Sequence, residues 1–545
     1  MANLSQQSRE RMLAFLEELK QQHTDDNSLI AIGEIERELT AKKYGLVWER
    51  HEEEVDVKMR THIPVFTEDK SREIAAKPDS EDYNFLLEGD NLHSLKLLEK
   101  THRGKIDVIY IDPPYNKDKD FIYNDGYVDK LDTFKHSKWS SFMSVRLSIA
   151  SKLLSDHGCI FISCDDNELP SLRLICDEIF DEANFEGHIH WRRRHNQPND
   201  KTKLIAIVAE HILVYSKNKE KHKKFGVGKV AITGKFTNPD NDPRGPWASK
   251  PWKSGSSQSG CTYSITSPTG KVFTEEWLGE EKTFKALLAD GRIIFPRNGD
   301  GSPRKKYYAS ERAEEGQCAT NWWLNDLFGC NQDATDELKA IFNGTSPFEN
   351  PKPTKLINAI IRLGCVDKNA IILDFFAGSG TTGQAVLELN KEDGGNRHFI
   401  LCTNNENKIC EDVTYQRLKT VITGKRADGS EYSEGIPANL MYYKTDFVDK
   451  ESEYLTDELL EHIVEMIQLE YGVRVDGRKY VMIMTDEEMD DFEQNVAEYD
   501  DLRAVFVSQD VLLSATQEEL LWGLSSFVIP DYYFDFELRE AGELW

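Results

Sequence analysis

Long hydrophobic runs, paired cysteines and ATP-binding motifs are all missing from this 545-residue chain. No run approaches the ~20 apolar residues that a membrane-spanning helix needs, and the charged, amphipathic start MANLSQQSRERMLAFLEELKQQ is unlike a signal peptide. The nine cysteines form no Cys-x-x-Cys pair, which argues against a disulfide framework or a zinc site and favours reduced thiols in a cytosol. A restriction motor is disfavoured, because the chain has neither a Walker loop nor a helicase acid pair.

The net charge of −28 is distributed unevenly along the chain. Residues 446–545 carry 27 acids against 6 Lys and Arg, a balance of −21, whereas residues 188–260 carry 15 Lys and Arg against 5 acids, a balance of +10. The acidic end is equally consistent with a solvated surface and with a partner-binding face. The basic middle segment is the better candidate for contacting nucleic-acid phosphates.

Short apolar runs alternate with amphipathic helical patterns in two parts of the chain. NFLLEGD, DVIYIDPPY and GCIFISCDD predict buried strands, each followed by a helical pattern, and GHIHW and HILVYSK add two more strands. A stretch rich in Gly, Ser, Pro, Lys and Trp then interrupts the pattern, which resumes with AIILDFFAGSGTTGQAVLELN and RHFILCTNNEN. This order predicts an α/β fold with a mostly parallel, doubly wound sheet.

The chain length suggests roughly three to four domains, and the sequence pattern divides the chain into five regions. They are an N-terminal helical region and linker at 1–80, the first half of the α/β core at 81–217, an irregular insertion at 218–345, the second half of the core at 346–440 and a small acidic α/β module at 441–545.

The sequence IDPPYN at 111–116 ends a buried strand with an acid, two prolines and an aromatic ring. Consecutive prolines fix two φ angles and forfeit two backbone donors, so this part of the chain is stiff. Asp112 and the Pro113 carbonyl would place two acceptors close together, able to grip an exocyclic amino group and free the lone pair of its nitrogen. Tyr115 offers a flat face on which a base could stack. The alternative is a strand that simply ends in a proline turn.

Acids stand at four predicted strand ends: Asp90, Asp112, Asp374 and Glu406. The carboxyl ends of parallel strands meet at the ligand crevice of an open α/β sheet. A glycine-rich turn, FFAGSGTTG at 375–383, follows one of these ends and would let the backbone approach a ligand closely. The four acids and the turn predict a site for a cationic small molecule that has many hydrogen-bond donors.

These motifs resemble those of the β-class N6-adenine DNA methyltransferases, in which an Asp-Pro-Pro-Tyr motif precedes the glycine-rich cofactor loop. GDNLHSLKLL, FIYND, FISCDDNE, DGRIIFPRNGDGSPRKKYY, NPKPTKLI and MYYKTDF extend the resemblance over residues 28–450 to the modification subunit of type III restriction–modification systems. The resemblance implies a permuted Rossmann-like fold dependent on S-adenosylmethionine. The insertion would be the target-recognition domain, and the C-terminal module would contact a partner or a second subunit.

The resemblance also implies a role for each matching position. Asp112 and the Pro113–Pro114 unit would hold the N6 amino group of adenine, while Tyr115 would stack on the flipped base. The residues implied to bind the cofactor are Asp90, Lys352, Pro353, Asp374, Phe376, Ala377, Gly378, Ser379, Gly380 and Glu406, with Glu406 on the ribose and Asp90 on the adenine. The candidates for DNA contact are Arg192, Arg193, Arg194, Lys253, Arg304 and Lys305.

The expected reaction is attack of adenine N6 on the methyl carbon of S-adenosylmethionine in double-stranded DNA, without a metal. Methylation of cytosine N4 is one alternative, because cytosine also has an exocyclic amine, although serine often replaces the acid there. A non-catalytic DNA-specificity subunit is another. The resemblance further implies a homodimer, a separate motor-nuclease partner and a place in the cytoplasm of a bacterium or of a phage-infected cell, near the nucleoid.

Overall fold

The structure is a computed structural model that describes residues 11–17, 19–20, 26–40, 51–116, 135–197, 199, 201–202, 204–230, 235–256, 258–529 and 533–541. The FIYND motif at 121–125 lies outside the described residues. Among the helices of the described part, none is both long and apolar enough to cross a membrane. All nine cysteines are free thiols, and only Cys261 and Cys318 are exposed.

The described strands are β1 (His62–Glu68), β2 (Ile74–Ala75), β3 (Asn84–Glu88), β4 (Ile106–Ile111), β5 (Leu154–Cys164), β6 (Phe185–Arg192), β7 (Ala209–Ser216), β8 (Trp247–Pro251), β9 (Cys261–Thr266), β10 (Val272–Trp277), β11 (Ile293–Ile294), β12 (Arg304–Tyr308), β13 (Trp322–Trp323), β14 (Ile371–Asp374), β15 (His398–Thr403), β16 (Asn439–Asp449), β17 (Tyr480–Ile483), β18 (Ala504–Val507) and β19 (Ser526–Val528).

The described α-helices are α1 (Asp26–Thr40), α2 (Glu54–Thr61), α3 (Asn91–Thr101), α4 (Lys135–Leu153), α5 (Leu169–Phe180), α6 (Lys219–Phe225), α7 (Glu281–Ala289), α8 (Ala309–Glu315), α9 (Asn325–Phe328), α10 (Asn331–Ile341), α11 (Thr354–Gly364), α12 (Thr381–Asp393), α13 (Tyr415–Thr423), α14 (Leu455–Leu460), α15 (Ile463–Tyr471), α16 (Asp486–Asn495), α17 (Ala515–Trp522) and α18 (Asp535–Ala541).

A large central sheet organises the chain, with strand order β1-β16-β3-β15-β14-β4-β5-β7-β6-β13 and β2 paired to β16. The six strands from β16 to β5 are parallel, whereas β7 runs antiparallel to both β5 and β6. The predicted mostly parallel α/β sheet is confirmed. Its order is permuted as predicted, because β14 and β15 follow the insertion in sequence yet lie between β3 and β4.

Apolar side chains cover both faces of this sheet, as the near-continuous hydrophobic runs require. On β4, Ile109 and Ile111 join the core beneath α3, α4 and α5, whereas Val108 and Tyr110 join the core beneath α11, α12 and α13. Helices therefore pack on both faces, which leaves the strand ends as the accessible edge of the sheet.

Two smaller cores lie outside the central sheet. The insertion holds a cluster around Trp252 and Trp277, with one sheet formed by β9 and β10 and another by β8, β11 and β12. The C-terminal part has its own core around Met489 and Phe492 beneath the parallel sheet of β17, β18 and β19.

Two strands cross the expected regional limits. β13 lies within the expected insertion but pairs with β6, and β16 spans the limit at 440/441 while it pairs with β1 and β3 in the central sheet. A limit placed by composition misses such strands, because sheet membership depends on pairing partners that are distant in sequence. The five regional limits stay predictions.

Candidate active site

The carboxyl ends of β3, β15, β14 and β4 lie side by side, as the predicted site requires. A cavity of about 250 Å³ opens at this edge. It is lined by Tyr110, Asp112, Pro114, Phe348, Lys352, Asp374, Phe376, Ala377, Gly378, Ser379, Thr381, Thr382, Thr403, Asn404, Glu406, Asn407 and Ile409. The cavity therefore unites the acid of the IDPPYN motif, the glycine-rich turn and the acid beyond β15, which are about 300 residues apart at the extremes.

Two side chains from later in the sequence hold the IDPPYN motif in place. The indole Nε1 of Trp139 donates to the Pro114 carbonyl at 2.7 Å. Asn116, which has a left-handed φ of 56°, donates from Nδ2 to the buried carboxylate of Glu168 at 2.5 Å. Neither Trp139 nor Glu168 was singled out from sequence, because Trp139 belongs to no motif and Glu168, the last residue of FISCDDNE, was given no role. Their hydrogen bonds add to the stiffness of the two prolines.

Tyr115 lies inside the protein, with 9% of its surface exposed. Its hydroxyl donates to Asp112 Oδ1. Burial and the Asp112 charge raise the pKa of Tyr115 well above its usual value, so the hydroxyl remains a donor. In this arrangement the phenol fixes the orientation of the Asp112 carboxylate, and the predicted stacking of Tyr115 on a base stays a prediction.

Lys352 completes this arrangement from a distant part of the chain. Its Nζ donates to Asp112 Oδ2 at 2.5 Å and to the Tyr115 hydroxyl at 3.1 Å, and it lies 3.4 Å from Glu210 Oε2. Burial alone would lower the pKa of Lys352, but the Asp112 and Glu210 carboxylates outweigh it and raise the pKa. Lys352 thus carries its charge beside Asp112, a contact that the sequence did not predict.

Glu210 connects this cluster to the basic segment. It is 4% exposed, and its Oε1 pairs with Arg193 at 3.2 Å while its Oε2 faces Lys352. The sequence offered no signal beyond an acid directly before HILVYSK. Because β7 runs antiparallel to β5, its first residues reach the edge where the parallel strands end.

The glycine-rich turn brings the backbone to the wall of the cavity. Gly378 has φ of +48°, and a Cβ there would lie 2.9 Å from Phe348 Cζ. Gly380, with φ of +77°, lies just before α12. The Gly378 carbonyl accepts from Thr414 Oγ1 at 2.6 Å, and the buried Arg417 donates to Thr381 Oγ1 at 2.8 Å. The turn is therefore fixed in a shape that only glycine adopts without strain.

Asp374 lies beneath this turn and is almost fully buried, at 3% exposure. It accepts hydrogen bonds from the Phe376 amide at 3.0 Å and from Thr382 Oγ1 at 2.5 Å. Burial, which these hydrogen bonds only partly offset, raises the pKa of Asp374 to about 7. The carboxyl is therefore poised to change charge near neutral pH.

Glu406 lines the cavity, and Asp90 lies close to Glu406. Burial and the neighbouring Asp90 charge raise the pKa of Glu406. Asp90 itself accepts from the Leu92 amide at 2.7 Å as the N-cap of α3 and pairs with Arg146 at 3.4 Å. Glu406 contributes to the cavity wall, whereas Asp90 lies outside the set of lining residues.

The remaining predicted cofactor residues lie beside this wall. Phe376, Ala377 and Ser379 line the cavity directly. Pro353 and Gly380, like Asp90, are not among its lining residues, although each is adjacent in sequence to one that is. Their roles stay predictions.

The six residues predicted to contact DNA lie in different parts of the structure. Arg193 and Arg194 line a second cavity of about 680 Å³, and Arg192 donates to the Arg194 carbonyl at 3.2 Å. In the insertion, Lys253 pairs with Glu275 at 2.7 Å, Arg304 donates to the Ser249 carbonyl at 2.7 Å and Lys305 lies over Tyr307. The structure thus brings Arg193 to the active-site cluster and leaves the insertion residues on other surfaces.

Comparison with known proteins matches the sequence of this chain to one family. Residues 106–416 match the family model described as DNA methylase. This range holds the IDPPYN motif, Lys352, the glycine-rich turn and Glu406. The chain belongs to the DNA methylase family.

Two modification subunits of type III restriction–modification enzymes are similar to this chain over more than half of its length. It is 38% identical over 369 residues to the type III restriction–modification enzyme StyLTI Mod subunit of Salmonella typhimurium, which covers 62% of this chain and 56% of the relative. It is 32% identical over 435 residues to the EcoP15I Mod subunit of Escherichia coli, at 67% and 65% coverage. The chain thus spans between half and two thirds of these two relatives.

Two further proteins are similar over comparable parts of the chain. The type II methyltransferase M.KpnI of Klebsiella pneumoniae is 33% identical over 370 residues, which cover 60% of this chain and 82% of the relative. The crystal structure of an M1.HpyAVI–SAM complex covers 62% of this chain and 97% of its own at 15% identity and a TM-score of 0.31. A TM-score this low carries no weight in the assignment.

Proposed function

We propose that this protein is a site-specific DNA methyltransferase that transfers a methyl group from S-adenosylmethionine to adenine N6 in double-stranded DNA. The observation that carries the proposal is the single cavity shared by Asp112, Gly378 and Glu406. It is supported by the match of residues 106–416 to the DNA methylase family.

The cavity suits the proposed cofactor in three respects. Gly378 leaves space that a Cβ would fill, so a ligand can approach the backbone. Phe348 and Phe376 provide apolar walls, and Glu406 provides two acceptors for a ribose diol. When bound, S-adenosylmethionine would supply an electrophilic methyl group on a positively charged sulfur, a charge that Asp374 and Glu406 would stabilise.

The residues of IDPPYN would orient the amino group. N6 of adenine is a poor nucleophile, because its lone pair is delocalised into the ring. Each Asp112 oxygen has a further lone pair beyond the one that Lys352 or Tyr115 uses. Asp112 and the Pro113 carbonyl could therefore accept both N6 hydrogens, direct the lone pair towards the methyl carbon and leave Asp112 or water to take the proton after transfer. Orientation of this kind contributes several kcal/mol to a rate.

The target adenine would have to be flipped out of the DNA helix to reach Asp112 and Pro113. Flipping an adenine costs a few kcal/mol. We propose that the arginines at 192–194 and the insertion contact the phosphates and select the site. By analogy with the Mod relatives, we further propose a type III-like restriction–modification system with a restriction partner, a homodimer and a place in the bacterial or phage-infected cytoplasm, near the nucleoid.

Methyl transfer to duplex DNA from labelled S-adenosylmethionine, followed by chromatography of the nucleosides, tests the proposal. We expect N6-methyladenine as the product. Asp112→Asn should lower the rate by ~100-fold or more, with cofactor affinity unchanged by calorimetry, whereas Asp367→Asn, at an exposed acid, should leave the rate unchanged.

Three outcomes would contradict parts of the proposal. N4-methylcytosine as the sole product would exclude adenine as the target. DNA binding without methyl transfer by the unmodified chain would favour a non-catalytic specificity subunit. Full activity of Asp112→Asn would remove Asp112 from the site.

A further inference from the structure

Three histidines meet on one face of the central sheet, outside the active-site cavity. His188 and His190 are two residues apart on β6, so their side chains lie on the same face of the sheet. His211 on β7 lies directly opposite His190. The candidate ligand atoms of the three imidazoles all lie within 4.8 Å of one another, and His188 Nε2 is 2.9 Å from His211 Nδ1. The His-x-His spacing does not by itself predict a metal site, because the third histidine comes from another strand.

A neighbouring carboxylate orients one of these rings. His211 Nε2 lies 2.9 Å from Asp166 Oδ1, so this nitrogen carries the proton and donates to the acid. Its Nδ1 therefore accepts the hydrogen bond from His188 Nε2 at 2.9 Å, and a metal ion between the two rings would replace that proton. Metal-binding histidines commonly donate their second ring nitrogen to a carboxylate in this way, which fixes both tautomer and direction.

The distances suit a small divalent ion. Zinc binds imidazole nitrogen at about 2.0–2.1 Å, so nitrogens around a tetrahedral zinc are about 3.4 Å apart. The separations here, from 2.9 Å to at most 4.8 Å, bracket that value. Three ligands would leave a fourth position for water or an exogenous ligand.

We propose that His188, His190 and His211 form a binding site for a divalent transition metal, with zinc as the best-fitting ion. Imidazole ligands suit this class of metal, in contrast to Mg²⁺ or Ca²⁺, which take oxygen ligands.

The site would link β6 to β7 near the last residues of β6 and the first residues of β7. Glu210 immediately precedes His211, and Arg192 lies two residues beyond His190. Because side chains alternate along a strand, Glu210 points to the opposite face from His211 and towards Lys352. None of the three histidines lines the active-site cavity. The metal would thus fix the position of Glu210 and of the arginines without taking part in the proposed methyl transfer.

Zinc titration of the full chain, stripped with a chelator and held in excess Mg²⁺ to occupy oxygen sites, tests the proposal. We expect uptake of one Zn²⁺ per chain, and Co²⁺ should give the intense visible absorption of a tetrahedral site. His190→Gln and His211→Gln should each weaken binding at least tenfold, and Asp166→Asn should weaken it by roughly 10–100-fold. His195→Gln, at an exposed histidine nearby, should bind as the unmodified chain does.

Hydrogen exchange of β6 and β7 provides a second measurement on the same samples. Zinc should slow amide exchange in both strands of the unmodified chain and of His195→Gln, but not of His190→Gln. The proposal is overturned if the stripped chain takes up no zinc, or if His190→Gln binds zinc as tightly as His195→Gln does. Since neither measurement involves methyl transfer, the result is independent of the proposed activity.

Discussion

Lys352→Met tests the buried charge cluster at the IDPPYN motif. The substitution keeps most of the side-chain volume but removes the only cation within 2.5 Å of Asp112 among the described residues. Glu210, 3.4 Å from the same Nζ, loses one of its two positive neighbours. The two carboxylates would then face each other across an apolar side chain.

The expected cost follows from the burial of the three groups. Removing one partner of a buried ion pair destabilises a protein by about 3–5 kcal/mol. The Asp112 side chain is 26% exposed and Glu210 keeps Arg193 at 3.2 Å, so the cost should fall at the low end. We expect about 3 kcal/mol for Lys352→Met and recovery of about 1–2 kcal/mol in the double variant Lys352→Met/Glu210→Gln, because neighbouring charges couple by that amount.

Hydrogen exchange with mass spectrometry measures the opening free energy of residues 106–116 and 351–364 separately. This avoids the assumption that so long a chain unfolds in one step. The matched control is Lys355→Met, an exposed lysine in the first turn of α11, which begins two residues after Lys352, with an expected change within ~0.5 kcal/mol. If Lys352→Met opens no more easily than Lys355→Met, the cluster does not stabilise the site; if Glu210→Gln recovers nothing, Lys352 and Glu210 are not coupled.

Three further predictions concern ligand binding. Cofactor affinity, measured by calorimetry, should rise about tenfold from pH 6 to pH 8, because a cationic ligand favours the ionised form of Asp374, whose pKa is about 7. Asp374→Asn should remove this pH dependence. The same pH dependence in Asp374→Asn as in the unmodified chain would contradict the role of this acid. Gly378→Ala should weaken cofactor binding at least tenfold, since the left-handed φ costs about 1–2 kcal/mol and the Cβ would meet Phe348; equal affinity would mean that the turn does not contact the cofactor. Arg192→Glu with Arg194→Glu, which leaves the Arg193–Glu210 pair intact, should weaken DNA binding and lower its salt slope by about two; an unchanged slope would show that these arginines do not contact phosphates.

Much of the fold was predictable from local patterns. Runs such as DVIYI and CIFIS became buried parallel strands, because a strand covered on both faces must be apolar throughout. The acids at the strand ends were predicted to meet, and Asp112, Asp374 and Glu406 do line one cavity. Asp90 follows the same rule but is drawn into the N-cap of α3 and an ion pair with Arg146.

The charge partners of the site were not predictable in the same way. Lys352 was assigned to the cofactor from its motif, yet its Nζ donates to Asp112, 240 residues earlier in the chain. Glu210 and Trp139 carry no motif at all. Lys352 lies just before α11, which packs on β4, whereas Glu210 lies on β7, which pairs with β5, and Trp139 lies on α4. Contacts of this kind depend on the pairing of distant segments.

The sequence by itself determined the α/β class and the stiff IDPPYN motif with its acid. These features depend on hydrophobic periodicity and on backbone restrictions, both of which act between near neighbours. Only the tertiary structure decided that Lys352, Tyr115, Glu210 and Arg193 form one buried charge network around Asp112, and that three histidines from β6 and β7 converge. The physical reason is that buried charges and metal ligands are selected by proximity in space, and the antiparallel return of β7 beside β5 creates that proximity.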